Sequence, residues 1–119
     1  MRLGHIEIFV RDLDVARTFY VDVLGCQVVD EEQEGVLWVD LGGMEFLLRP
    51  GDPRVSVERY GETSVALVLY TKDVQAAQAR LAGRGLVFAD PDVTEGTPTF
   101  QDPDGNWFQL VDPTRLGGS

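Results

Sequence analysis

His5 is the only histidine in the chain. It opens an alternating run in which His5, Glu7 and Phe9 fall on one face of an extended strand while Ile6, Ile8 and Val10 fall on the other. The same alternation groups Trp38 with Asp40, Glu45 with Leu47 and Arg49, Ser64 with Ala66, Val68 and Tyr70, and Trp107 with Gln109. Each group stands opposite a row of apolar neighbours, so the shared face is chemically mixed. Phe9, Trp38, Tyr70 and Trp107 offer flat stacking area, while His5, Glu7, Glu45, Arg49 and Gln109 offer orienting polar contacts, the combination that a small-molecule pocket needs. A flat aromatic or cationic ligand suits it. Glu7 or Glu45 could act as a general base with His5 or Tyr70 as the acid, and two carboxylates close together would raise one pKa or attract a cation. The plainer alternatives are that Trp38 and Trp107 fill the mouth of a cleft or a subunit interface, and that Glu7 and Glu45 are wetted strand residues.

The elements that position these residues come in two copies. His5-Ile6-Glu7-Ile8-Phe9-Val10-Arg11-Asp12-Leu13 returns in outline as Ala66-Leu67-Val68-Leu69-Tyr70-Thr71-Lys72-Asp73-Val74, an offset of 61 from Asp12 to Asp73. Phe46-Leu47-Leu48 returns as Phe108-Gln109-Leu110 at an offset of 62. A register held at both ends of each half argues for a duplicated module. In the first, Asp12 or Asp14 caps a predicted helix whose apolar stripe is Leu13, Ala16, Phe19, Tyr20, Val23 and Leu24, with Gly25 as its stop. Strands are predicted over Gln27 to Asp30, Val36 to Leu41 and Met44 to Arg49, with Gly42-Gly43 as a hairpin turn. The second module repeats the order: a strand near Ser64 to Tyr70, a helix from Val74 to Ala82, and strands at Leu86 to Ala89, Thr97 to Gln101 and Trp107 to Val111. The expected fold is therefore α+β, one domain over 1–119 with two tandem βαβββ modules, about 1–50 and about 63–113. The proline- and glycine-bearing stretch 51–62 reads as the linker, and Gly117-Gly118 as a frayed tail.

Composition narrows the function classes. Twenty acidic against ten basic residues give a net charge of -10, which opposes nucleic-acid binding and would favour a cationic ligand, although acidic runs such as Asp30-Glu31-Glu32-Gln33-Glu34 also serve solubility. No apolar run is long enough to span a bilayer, so no membrane partner is expected, and the compartment is read as cytoplasmic. The lone cysteine, Cys26, cannot close an internal disulfide and reads as a small buried filler. A Ser-His-Asp arrangement would need Ser64 beside His5. No glycine-rich nucleotide loop is present.

The repeated βαβββ pattern resembles the vicinal oxygen chelate superfamily, which includes glyoxalase I, extradiol dioxygenases, fosfomycin-resistance enzymes and bleomycin-resistance binding proteins. The resemblance is carried by His5-x-x-Ile8-x-Val10-x-Asp12-Leu13, Phe19-Tyr20, Leu24-Gly25 and Asp102-Pro103-Asp104-Gly105-Asn106-x-Phe108-Gln109-Leu110, and it spans almost the whole chain. It implies concave mixed sheets with helices on the outer face, a cleft between paired halves, and a homodimer. It also implies a divalent metal held from the first and last strand of each module, at positions that here are His5, Ala66, Leu47 and Gln109. Ala66 and Leu47 cannot ligate a metal, so the expectation is a binding protein without a metal cofactor. The alternative is a metal-dependent lyase, isomerase or dioxygenase in which Ni, Zn, Mn or Fe is held by a shifted set of His5, Glu45 and Gln109, with Glu7 as base.

Overall fold

In both halves an aspartate stands two or three residues after the strand that precedes the helix, and each of these aspartates starts that helix. In the computed structural model, which describes residues 1–31, 35–54, 56–89 and 97–115, Asp12 accepts from the backbone N–H groups of Asp14 and Val15 at 2.9 and 3.3 Å, and Asp73 from that of Ala76 at 2.9 Å. Each satisfies donors that the first helical turn leaves without a partner. The chain divides into two compact units, Met1–Arg54 and Val55–Ser119.

In the first unit, β1 (Ile6–Val10) leads through α1 (Leu13–Arg17) to β2 (Gln27–Glu31), β3 (Leu37–Leu41) and β4 (Met44–Pro50). The sheet order is β1-β4-β3-β2, with β1 parallel to β4 and the other neighbours antiparallel. Ile8, Val10, Leu37, Val39, Phe46 and Leu48 are all buried, and Tyr20 sets its ring 6.3 Å from that of Phe46. The helix departs from the sequence expectation. It is α-helical only to Arg17 and continues as a π-helical segment, Thr18–Val23, in which Leu24 N–H bonds Phe19 C=O at 2.9 Å. An α-helix would set Phe19 and Leu24 about 140° apart around its axis; the wider turn narrows that angle. Phe19, Tyr20 and Leu24 are accordingly all buried.

In the second unit, β5 (Ala66–Tyr70) and α2 (Val74–Gly83) are followed by β6 (Thr99–Gln101) and β7 (Trp107–Val111). The sheet order is β5-β7-β6, with β5 parallel and β6 antiparallel to β7. Phe100 stacks on Phe108 at 5.1 Å, Phe88 meets Phe100 edge-on at 5.5 Å, and Ala77 and Leu81 of α2 are buried. Leu86 to Ala89, expected as a strand, forms no ladder; a single bond joins Ala89 N–H to Thr99 C=O at 2.8 Å. The physical reason lies at the helix end. Gly85 turns at φ +99 and Leu86 N–H returns to Leu81 C=O, so this stretch finishes the helix before it reaches the sheet.

The ladders fix the register of the duplication. Glu7 pairs with Leu47 in the first unit, and Val68 pairs with Gln109 in the second, the same offsets of 61 and 62 that the sequence carries. Within the expected linker 51–62, Ser56, Val57 and Tyr60 bond side chains of the second sheet. The acidic stretch 32–34 and the Gly117-Gly118 tail lie outside the described residues.

Candidate functional site

On the first sheet, the face opposite the buried rows carries Glu7, Phe9, Trp38, Asp40, Glu45, Leu47 and Arg49. His5, exposed just before β1, meets Trp38 edge-on with ring centroids 4.6 Å apart. Arg49 pairs through Nε with Glu7 Oε1. Phe9 is 49% exposed and lies on Gly51, where a Cβ would come within 3.0 Å of its ring. Glu45 is exposed and sits across the ladder from Asp40, whose Oδ2 accepts from Gly43 N–H at 3.2 Å and so holds the hairpin turn. Leu47 is 4% exposed between Glu7 and Trp38. Cys26 is buried in this unit, and burial, reinforced by the Asp40 charge, pushes its thiol up to about 11; it is not a nucleophile at neutral pH.

The second sheet is arranged differently. Its corresponding face carries Ala66, Val68, Tyr70, Thr99, Gln101, Trp107, Gln109 and Val111, with no charged side chain among them. Tyr60, in a short 3₁₀ turn over Tyr60–Glu62, donates its hydroxyl to Gln109 Oε1 at 3.0 Å and sets its ring edge-on to Trp107 at 5.9 Å. Trp107 is 2% exposed, with its indole N–H donated to Val57 C=O at 3.2 Å. Gln101 Nε2 also donates to Val57 C=O, at 3.3 Å, and to Gly105 C=O, at 3.1 Å. Gly105 itself, at φ +94, leaves room for Ser56, whose Oγ a Cβ would approach to 2.6 Å. Val68 and Tyr70 remain open, 45% and 65% exposed.

Of the nine residues that sequence reasoning expected to contact a ligand, six (His5, Glu7, Phe9, Trp38, Glu45, Arg49) stand on or beside the first sheet's open face and three (Tyr70, Trp107, Gln109) on the second's. Close contacts join His5 to Trp38 and Glu7 to Arg49, and Tyr60 links Trp107 to Gln109. Sequence reasoning missed Tyr60. The only signal was an aromatic residue in a polar stretch, and which strand it would reach depends on how the chain leaves β4. Burial raises its phenol pKa, so it stays protonated and keeps donating at neutral pH. Among the described residues, no three or more His, Cys, Asp or Glu side chains gather in a metal-binding group. Of the four positions that the family resemblance marks for ligands, Leu47 and Ala66 offer no donor atom, and the Gln109 oxygen already accepts from a phenol.

Comparison with known proteins places the fold. A family profile described as the Glyoxalase/Bleomycin resistance protein/Dioxygenase superfamily matches residues 2–110. The chain belongs to that superfamily. Members of the superfamily bind small molecules. The chain is 29% identical over 125 residues to the uncharacterized protein YurT of Bacillus subtilis (strain 168), covering 93% of this chain and 98% of YurT. Among solved structures it is similar to UcmS2, at 30% identity and a TM-score of 0.72 over 94% of this chain and 98% of that one. It is also similar to SMU.1112c, at 25% identity and a TM-score of 0.74 over 92% and 97%. The βαβββ-like modules with mixed sheets are those of the superfamily fold. No helix among the described residues is long and apolar enough to cross a membrane.

Proposed function

We propose that this superfamily member binds a flat aromatic or cationic small molecule without a resident metal ion, and that its first sheet supplies the aromatic and charged contacts. The observation that carries the reading is the pair Leu47 and Ala66 at two of the four positions where relatives would hold a metal, beside a retained Trp38-His5 contact on an open face. A divalent ion needs three or four donors with charge among them, and His5 with an amide oxygen already engaged does not make such a set. Glu7 is tied to Arg49, which suits a carboxylate that orients a ligand better than one that waits to take a proton. We take the protein to act in the cytoplasm as a homodimer, the latter checked by sedimentation.

The two tryptophans make the test direct, because Trp107 is 2% exposed and Trp38 is only partly buried. In a Trp107→Phe variant, aromatic and cationic compounds that raise the melting temperature should also quench the remaining Trp38 emission, since a ligand that binds only the folded state stabilises it. Protein incubated with Ni, Zn, Mn or Fe(II) and then dialysed should retain no stoichiometric metal. About one ion per chain, lost in His5→Ala, would overturn the metal-free reading.

A further inference from the structure

Gln109 stands where the superfamily resemblance expects a metal ligand, and its surroundings suit a different task. Its carbonyl oxygen accepts the Tyr60 hydroxyl at 3.0 Å, and no group among the described residues bonds its Nε2. No buried side-chain nitrogen or oxygen among them lacks a partner, so that N–H pair opens to solvent. The Tyr60 ring cannot swing away freely, because it rests on Trp107, which is in turn pinned through its indole to Val57 C=O. The amide is thus held with its acceptor end satisfied and its donor end free. Beside it in the ladder stands Val68, and Tyr70 lies two residues further along β5, both well exposed. The whole face is uncharged. An unpaired charge placed there would lose hydration without a partner to replace it, whereas a neutral carbonyl beside an apolar ring would find both a donor and a surface.

We propose that Tyr60 is a positioning residue that turns Gln109 from a metal-ligand position into an N–H donor, creating on the second sheet a subsite for a neutral carbonyl group attached to an aromatic ring. The proposal rests on the small-molecule reading above and names what this sheet selects. It explains why a chain with a net charge of -10 can keep an uncharged face: recognition there depends on one oriented amide, and a charged ligand gains nothing from it.

The test uses the full chain labelled with ¹⁵N, with benzamide, benzylammonium and Mn²⁺ as separate probes. Benzamide should shift the Gln109 side-chain amide pair, assigned by its loss in Gln109→Leu, together with the backbone amides of β5; benzylammonium should not, and Mn²⁺ should leave the pair unbroadened. Tyr60→Phe keeps the ring on Trp107 and removes the hydroxyl, and it should weaken the benzamide response by about threefold to tenfold, the range set by one neutral hydrogen bond. Gln109→Glu still accepts from Tyr60 but has no N–H, so it should lose the β5 response while its amide spectrum stays that of a folded chain, even where the added charge lowers its melting temperature; this variant decides the matter should Tyr60→Phe prove unfolded. A stronger response to benzylammonium, selective broadening by Mn²⁺, equal benzamide affinity with and without the hydroxyl, or no Gln109 response to any probe would overturn the proposal. Quenching of Trp38 by a compound that leaves Gln109 unmoved removes this inference and keeps the small-molecule reading. Silence at both residues across the ligand panel removes both.

Discussion

At the scale of single residues, burial sets the chemistry more than residue type does. Cys26 and Tyr60 are both groups whose neutral form burial favours, and each is consequently a poor acid in the folded chain. The consequence for stability has a definite sign. A thiol that ionises at 9.0 when unfolded and at about 11 when folded contributes stability that is fully present below pH 9 and is lost as pH rises from 9 towards 11, where the unfolded chain releases its proton first. We expect Cys26→Ala to flatten that part of the pH-stability curve, measured by urea midpoints from pH 8 to 11, apart from any constant cost of the lost packing. Tyr60 should cause a similar decline starting from its ordinary value of 10.0, and it will persist in the Cys26 variant. At pH 8 only ~0.1% of Cys26 would be thiolate, so iodoacetamide should label it far more slowly than an exposed cysteine. A thiol that reacts rapidly in the folded state would contradict its burial.

At the scale of elements, the sequence was legible where local chemistry decides and illegible where the surroundings do. The two capping aspartates were readable because an Asp before an amphipathic run satisfies the first helical N–H groups wherever the helix goes. Between Asp12 and Asp14, only the structure chooses Asp12. We expect Asp12→Ala and Asp73→Ala each to cost about 1 kcal/mol, with Asn at either position recovering most of it, as judged by urea unfolding. Equal stability of Asp12→Ala and wild type would mean that the π-helical segment, and not the cap, holds α1 in place. That segment could not be read from spacing, because the stripe Leu13, Ala16, Phe19, Tyr20, Val23, Leu24 fits a 3.6-residue period and the widening responds to the sheet beneath. Nor could the absence of a ladder at Leu86 to Ala89 be read, since Leu-Val-Phe-Ala has ordinary strand composition and the decision lies in the helix cap at Gly85 and Leu86. The segment 56–62 shows the same limit at the site. Its three charged residues and Gly61 describe a polar connecting stretch and say nothing of the strand that Tyr60 and Val57 will meet.

At the scale of the whole molecule, duplication has given two units that share a parallel pairing of first and last strand, with four strands described in one sheet and three in the other, and two surface chemistries. The repeat was legible because its offset was constant, and the ladders Glu7 with Leu47 and Val68 with Gln109 have that register. What differs is charge: Glu7, Asp40, Glu45 and Arg49 share the first sheet's open face, while the second sheet's face has none. The excess of acid is nonetheless present in both units, eleven acidic against five basic residues in Met1–Arg54 and nine against five in Val55–Ser119. Like charges repel within each unit, and four ion pairs among the described residues that oppose this, Arg17 with Glu31, Arg49 with Glu7, Arg54 with Asp52 and Arg59 with Glu62, are substantially exposed and contribute little each. Salt should therefore stabilise the protein. Raising NaCl from 10 to 100 mM shortens the screening length from about 30 to about 10 Å, which weakens repulsion between distant carboxylates more than attraction between touching partners. We expect the melting temperature to rise by about 2–5 °C, the shift that ~0.5–1 kcal/mol produces in a chain of this size. A fall over the same range would mean that the ion pairs outweigh the net charge of -10, and would single out Glu7 with Arg49 as the pair to remove first.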